Sequence, residues 1–155
     1  MTYVFYLFIV TALAAIDQYT KSLVVTYIGL NESIDLIKGF FSLTHVRNYG
    51  AGFSIMQHAT LTFYIITPVC LGIFIYLLLK TVKNDYLSKA GLLLMIGGTI
   101  GNFIDRIINT YVIDFLDFII IGWDFPVFNF ADCCLTVGVF HYIIAVFLEY
   151  KNAKN

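Results

Sequence analysis

The sequence predicts an all-α membrane protein of four transmembrane helices, with a small extracytoplasmic β-sheet and an interfacial segment between helices 3 and 4. Three observations predict it. Of 155 residues, 60% are hydrophobic and only 12% are charged, far from the balance of a water-soluble domain. Four apolar runs are long enough to cross a hydrocarbon core about 30 Å thick. Between the first and second runs the pattern breaks into short alternating and glycine-containing stretches, as strands and tight turns require.

The first helix is expected over residues 3–28. Tyr3 to Ile16 is uniformly apolar, Asp17 and Lys21 follow at i,i+4, and apolar character resumes from Leu23. Ala12-Leu13-Ala14 looks like a signal-peptide cleavage site, but no basic stretch precedes the run and hydrophobicity continues past it, so a spanning helix is preferred. Residues 30–57 are the expected extracytoplasmic piece: Phe41-Ser42-Leu43-Thr44 alternates, and Arg47-Asn48-Tyr49-Gly50-Ala51-Gly52-Phe53 suggests a glycine-rich loop. Residues 59–79 carry no charge and form the second helix, kinked at Pro68. A Lys-containing loop leads to the third, over 90–108, where Gly97, Gly98 and Gly101 allow close helix contact. Residues 109–126 mix Asp114, Asp117 and Asp124 with large apolar side chains and Trp123, the composition of an interfacial segment. Pro126 leads into the fourth helix, over 127–148, and the chain is expected to form one domain.

Charge and cysteine usage exclude several function classes. A net charge of -1 with no basic patch leaves nucleic acid without an electrostatic footprint. Cys70, Cys133 and Cys134 all lie in apolar runs, and adjacent cysteines on a helix point about 100° apart, which suits neither a disulfide framework nor a metal site. Lys80, Lys83 and Lys89 share a side with Lys151 and Lys154 in a four-span chain, and the positive-inside rule makes that side cytoplasmic. Both termini are then inside.

The candidate chemistry lies in a phrase that occurs twice, Asn102-Phe103-Ile104-Asp105 and Asn129-Phe130-Ala131-Asp132. On a helix an Asn three residues before an Asp shares its face and can orient it. Counted along straight helices, Asp105 lies roughly 24 Å from Lys89, Asp132 roughly 28 Å from Lys151, and Asp17 roughly 24 Å from the N-terminus. Three acids on three helices thus reach a similar depth near the outer face. One reading makes Asp105 with Arg106 an interfacial pair and Asn129 with Asp132 a helix cap. The other makes the two carboxylates one site, because intramembrane acids are costly and usually functional. Such a pair shares a proton, so that one Asp activates water while the other donates to a carbonyl. That chemistry needs no metal, and His45, His58 and His141 are scattered. A proton-coupled transporter is the competing class, but its acid belongs near the midplane of a repeated architecture.

Five motifs then align with one family. Asp17-Gln18-Tyr19-Thr20-Lys21 resembles a D-x-x-T-K box, and Arg47-Asn48-Tyr49-Gly50-Ala51-Gly52-Phe53 an R-N-x-G-A-A-F box with Gly52 in place of an Ala. Gly101-Asn102-Phe103-Ile104-Asp105-Arg106 is similar to G-N-x-x-D-R, Val112-Ile113-Asp114-Phe115 to V-V-D-F, and Phe125 to Asp132 to F-P-x-F-N-x-A-D. In this order they resemble bacterial signal peptidase II, an intramembrane aspartic endopeptidase family, over essentially the whole chain. The resemblance implies Asp105 and Asp132 as the catalytic dyad. It implies Asp17, Lys21, Arg47, Asn48, Gly50, Asn102, Arg106, Asp114, Asn129 and Ala131 as substrate-binding or supporting residues. The implied substrate is a diacylglyceryl-modified prolipoprotein, cut before its lipidated Cys in the bacterial plasma membrane. Membrane lipids are the other implied partners, no cofactor is implied, and a monomer is expected. The Arg47-Asn48 loop and the 109–124 segment are expected to close over the substrate.

Overall fold

The computed structural model describes residues 2–50, 60–81 and 85–154. Its elements run α1 (Thr2–Tyr27), β1 (Ser33–Ile37), β2 (Phe41–Asn48), α2 (Thr60–Lys80), α3 (Tyr86–Asn109), β3 (Val112–Ile120), β4 (Trp123–Phe128) and α4 (Phe130–Asn152). All four helices are long and apolar enough to cross a membrane, so the four expected spans are present. Ala51, Gly52 and Phe53 of the expected glycine-rich loop, the expected helix start at Ala59, and Lys83 lie outside the described residues.

Helix α3 is the hub, in contact with each of the other three helices. Its glycines explain how. A Cβ at Gly91 would sit 2.7 Å from the carbonyl oxygen of Gly138 on α4, and a Cβ at Gly138 would sit 2.7 Å from that of Gly91. At Gly98 a Cβ would run into the carbonyl oxygen of Ala131. The two backbones therefore touch, the geometry that small residues permit between membrane helices. At Gly97 the added carbon would strike Leu13 of α1. Helix α2 contains Pro68 and packs chiefly on α3.

The β-strands form one antiparallel sheet in the order β1-β2-β3-β4. The segment between helices 3 and 4, expected as interfacial, takes the form of a β-hairpin, and β4 runs through Pro126 to Phe128, so the fourth helix begins at Phe130 rather than at 127. Arg47 and Asn48 close strand β2, paired with Ile113 and Val112, so they are not the loop expected from the sequence. Val24 and Ile28 from the end of α1 pack with Ile113 and Phe115 of β3. This small core fixes the sheet on the helix ends. His45 is buried beneath it, with Nδ1 2.9 Å from the Ile28 carbonyl.

The touching glycines generate a packing prediction. Gly138→Ala should cost about 1–3 kcal/mol through forced separation of α3 and α4, and lower the thermal midpoint in detergent. Gly72→Ala on α2 should leave the midpoint unchanged, because nothing lies within 4 Å of the added carbon.

Candidate active site

A buried cation organises the helix ends beneath the sheet. Lys21 and Asp17 are one turn apart on α1, and both side chains are about 1% exposed. The Lys21 Nζ lies 2.8 Å from Asp17 Oδ2 and 2.9 Å from Asp105 Oδ2 of α3, and donates to Asn102 Oδ1 at 2.9 Å. Three ammonium protons thus meet three acceptors. An ammonium at this depth is tolerated only with such saturation. Gly101 makes the approach possible, since a Cβ there would lie 2.6 Å from Asp17 Oδ2.

Each carboxylate of the cluster is tied down on its other side. Asp17 Oδ1 accepts from the backbone N–H of Ala131 at 2.9 Å. Asp105 Oδ1 accepts from Gln18 Nε2 at 3.0 Å, and its Oδ2 accepts from the N–H of Ile113 at 3.1 Å. Gln18 also reaches Asp17 Oδ2 and the Gly101 carbonyl. Its role was missed in the sequence, although an amide inside an apolar helix between two charged residues was a signal. Among the described residues no buried side-chain nitrogen or oxygen lacks a partner.

The amides carry this order to two further acids. With its oxygen held by Lys21, Asn102 turns its Nδ2 to Asp132 Oδ1 at 2.8 Å. Asn129 Nδ2 donates to Asn102 Oδ1 at 3.1 Å and to Asp114 Oδ1 at 2.6 Å. Asn129 also caps α4: its Oδ1 accepts from the Asp132 N–H at 3.0 Å, and Asp132 Oδ2 accepts from the Asn129 N–H at 3.1 Å. The capping reading of this pair is therefore correct in geometry. It leaves Asp132 half-buried at a helix N-terminus, where a carboxylate is favoured. Asn48 Nδ2 donates to Asp114 Oδ2 at 2.8 Å, and Asn48 Oδ1 accepts from the N–H of Gly50 at 2.9 Å.

Asp114 and Asp132 both line a cavity of about 570 Å³ together with Asn48, Asn102 and Arg106. The remaining wall is largely apolar, including Val112, Phe125, Phe128, Leu135 and Val137. Arg106 crosses it, donating to the Gly50 carbonyl at 3.1 Å and lying 4.4 Å from the Phe63 ring centroid. The Asp114 carboxyl, on the sheet, is pushed up to about 7. Burial is the first cause and the facing Asp132 carboxylate the second, opposed by the amides of Asn48 and Asn129 and by the Lys21 charge.

The structure sets Asp105, expected as the partner of Asp132, apart from the cavity that Asp132 lines. Asp105 is held in the Lys21 cluster, about 1% exposed, and does not line the cavity. With three donors on its two oxygens and so little exposure, Asp105 is closed off from solvent among the described residues. The acid that shares the cavity with Asp132 is Asp114, which the sequence reading had placed among the supporting residues. Arg47 also stands apart from the cavity, exposed and 4.7 Å from the Tyr111 ring centroid. Ala131 is fully buried between Asp17 and Gly98. Phe125 and Phe128 appear in the sequence reading only within a motif, and Leu135, Thr136 and Val137 of α4 not at all, because apolar side chains there read equally well as core.

A family model described as signal peptidase (SPase) II matches residues 9–148. The lipoprotein signal peptidase of Enterococcus faecalis is 42% identical over 153 residues, covering 97% of this chain and 92% of that protein. The lipoprotein signal peptidase of Lactiplantibacillus plantarum is 44% identical over 143 residues, covering 91% and 93%. A solved bacterial membrane enzyme, determined by the in meso method at 2.3 Å resolution, superposes with a TM-score of 0.89 at 35% identity, covering 95% of this chain and 90% of that one. This multi-pass membrane protein belongs to the signal peptidase II family of peptidases.

Proposed function

We propose that the protein is an aspartic endopeptidase that removes signal peptides from diacylglyceryl-modified prolipoproteins, cutting before the lipidated Cys, with Asp114 and Asp132 as the catalytic pair. One observation carries the reading: two carboxylates line a single cavity whose other wall is apolar. The named activity of the relatives supports the substrate class, and the apolar wall suits acyl chains beside a peptide bond.

The chemistry follows from the shared proton. Near neutral pH the pair shares one proton, and the reading assigns it to Asp114 on the sheet, pushed up by burial and the facing carboxylate, with Asp132 as the base. Asp132 removes a proton from water, the hydroxyl adds to the scissile carbonyl carbon, and Asp114 donates to the carbonyl oxygen. Collapse of the tetrahedral intermediate breaks the C–N bond, with the proton on Asp132 passing to the leaving amine. Asn102 and Asn129 orient the pair, Lys21, Asp17 and Asp105 hold those amides, and Arg106 spans the cavity between the sheet and α3. Both termini are cytoplasmic in this reading, supported by the lysines near the helix ends opposite the sheet. The cavity then opens at the extracytoplasmic face, where a lipid-anchored peptide presents its bond.

Purified protein in detergent, supplied with a diacylglyceryl-modified precursor, should release the signal peptide, and turnover should persist in chelator. An unmodified precursor cleaved equally well would refute the substrate assignment. Asp114→Asn and Asp132→Asn should each abolish cleavage while leaving the protein folded, because each keeps one amide oxygen for the donors that the carboxylate accepted from. Asp105→Asn should instead lower the thermal midpoint, since breaking a buried ion pair costs about 3–5 kcal/mol. Cleavage retained in Asp114→Asn and abolished in an Asp105→Asn protein that stays folded would reverse the assignment.

A pH dependence follows as well. The folded Asp114 value lies above its ordinary 3.8, so the folded protein keeps a proton that the unfolded chain releases. The stability contribution is full below pH ~4 and declines as pH rises to ~7. Thermal midpoints measured across that range should fall in the wild type and fall less in Asp114→Asn.

A further inference from the structure

The far end of the β3–β4 hairpin carries a combination that water does not explain. Ile120 pairs with Trp123, leaving a two-residue turn of Ile121 and Gly122, both with positive φ, 53° and 76°. Turns with two positive φ values strongly favour Asn-Gly or Asp-Gly, and a β-branched residue at positive φ is a strained outlier. Yet Ile121 is 101% exposed. Around it, Ile119, Ile120 and Trp123 are also exposed, and the neighbouring β1–β2 turn adds exposed Ile37 and Phe40, tied to the hairpin where Ile119 N–H donates to the Phe40 carbonyl at 2.9 Å. Strain retained at a side chain that stands fully exposed among the described residues points to something outside the fold.

We infer that this hairpin tip is immersed in the lipid bilayer, with Ile121, Ile120 and Trp123 entering the acyl boundary of the leaflet on which the sheet rests. Continuity with the lipid-facing helices favours lipid as the occupant. Two residues separate the end of α3 from β3, and one separates β4 from α4, so the hairpin leaves the helix bundle at the level where the spans end. Cross-strand partners share a face, which sets Ile120 with Trp123 on one side and Ile119 with Asp124 on the other. The first face points to hydrocarbon, and the second carries Asp124 at headgroup level. Asp124 is three residues from Ile121, so at about 3.3 Å per residue the tip can enter no deeper than roughly 10 Å, the depth of interfacial anchors. Trp123 suits that level. Its ring packs edge-on against Phe125 at 5.3 Å, and Phe125 lines the cavity. The immersed face therefore continues into the cavity wall, although the immersion itself does not depend on the proposed chemistry.

Trp123 is the only tryptophan in the chain, so its fluorescence reads the tip without labelling. The full-length protein is reconstituted in phosphatidylcholine–phosphatidylglycerol vesicles whose acyl chains carry bromine either near the headgroup or near the terminal methyl. Emission should be blue-shifted, quenched more by the shallow bromine than by the deep one, and poorly quenched by acrylamide. A water-like emission insensitive to bromine would overturn the inference. So would shielding that vanishes when chains are diluted to about one per vesicle, because a second copy would then be covering the tip. Ile121→Asn fits the turn better and should preserve the circular dichroism spectrum and thermal midpoint in detergent, while reducing bromine quenching about twofold or more. Unchanged quenching in that variant would remove Ile121 from the anchor.

Discussion

A single ammonium group, that of Lys21, is the interaction on which the site depends. It is buried where water cannot solvate it, so it must find a full set of acceptors. Those acceptors come from α1 and α3, and the carboxylates that supply them reach onward to β3 and α4. The charge therefore does more than balance two acids. It fixes the relative position of three helices and one strand at the level where the bundle meets the sheet.

The consequence is carried by amide orientation. An Asn side chain can present its oxygen or its nitrogen in a given direction, and Lys21 forces the oxygen of Asn102 toward itself. The nitrogen must then face Asp132. Asn129 is likewise committed, donating to Asn102 and Asp114 while its own oxygen caps α4. A buried salt cluster thus acts at a distance on two acids it does not touch. The same low-dielectric setting that makes the cluster rigid makes the Asp114 proton hard to lose.

Much of the fold was legible because membrane helices announce themselves by length and hydropathy alone. The β3–β4 hairpin was not, because Val112 to Trp123 is apolar at nearly every position and so hides the period-two alternation of a strand with one wet face. A surface that meets core on one side and lipid near its tip has no reason to alternate. The candidate site was half legible. The repeat of Asn-x-x-Asp marked residues that do lie in one network, but the two copies are not equivalent: Asn102 and Asp105 are inside α3, whereas Asn129 caps the start of α4 and Asp132 sits in its first turn. Spacing along a helix could not reveal that Asp105 turns toward Lys21. Asp114 was open to recognition, since a carboxyl in Val112-Ile113-Asp114-Phe115 is an acid in an apolar strand and needs a reason to be there.

Infrared spectroscopy of the protein in lipid can observe the shared proton itself. If Asp114 and Asp132 form the pair, the wild type shows a protonated-carboxyl carbonyl band that titrates near pH 7. That band is lost in Asp114→Asn and kept in Asp105→Asn, which removes the carboxylate paired with Lys21. A band that survives in Asp114→Asn and disappears in Asp105→Asn would contradict the assignment.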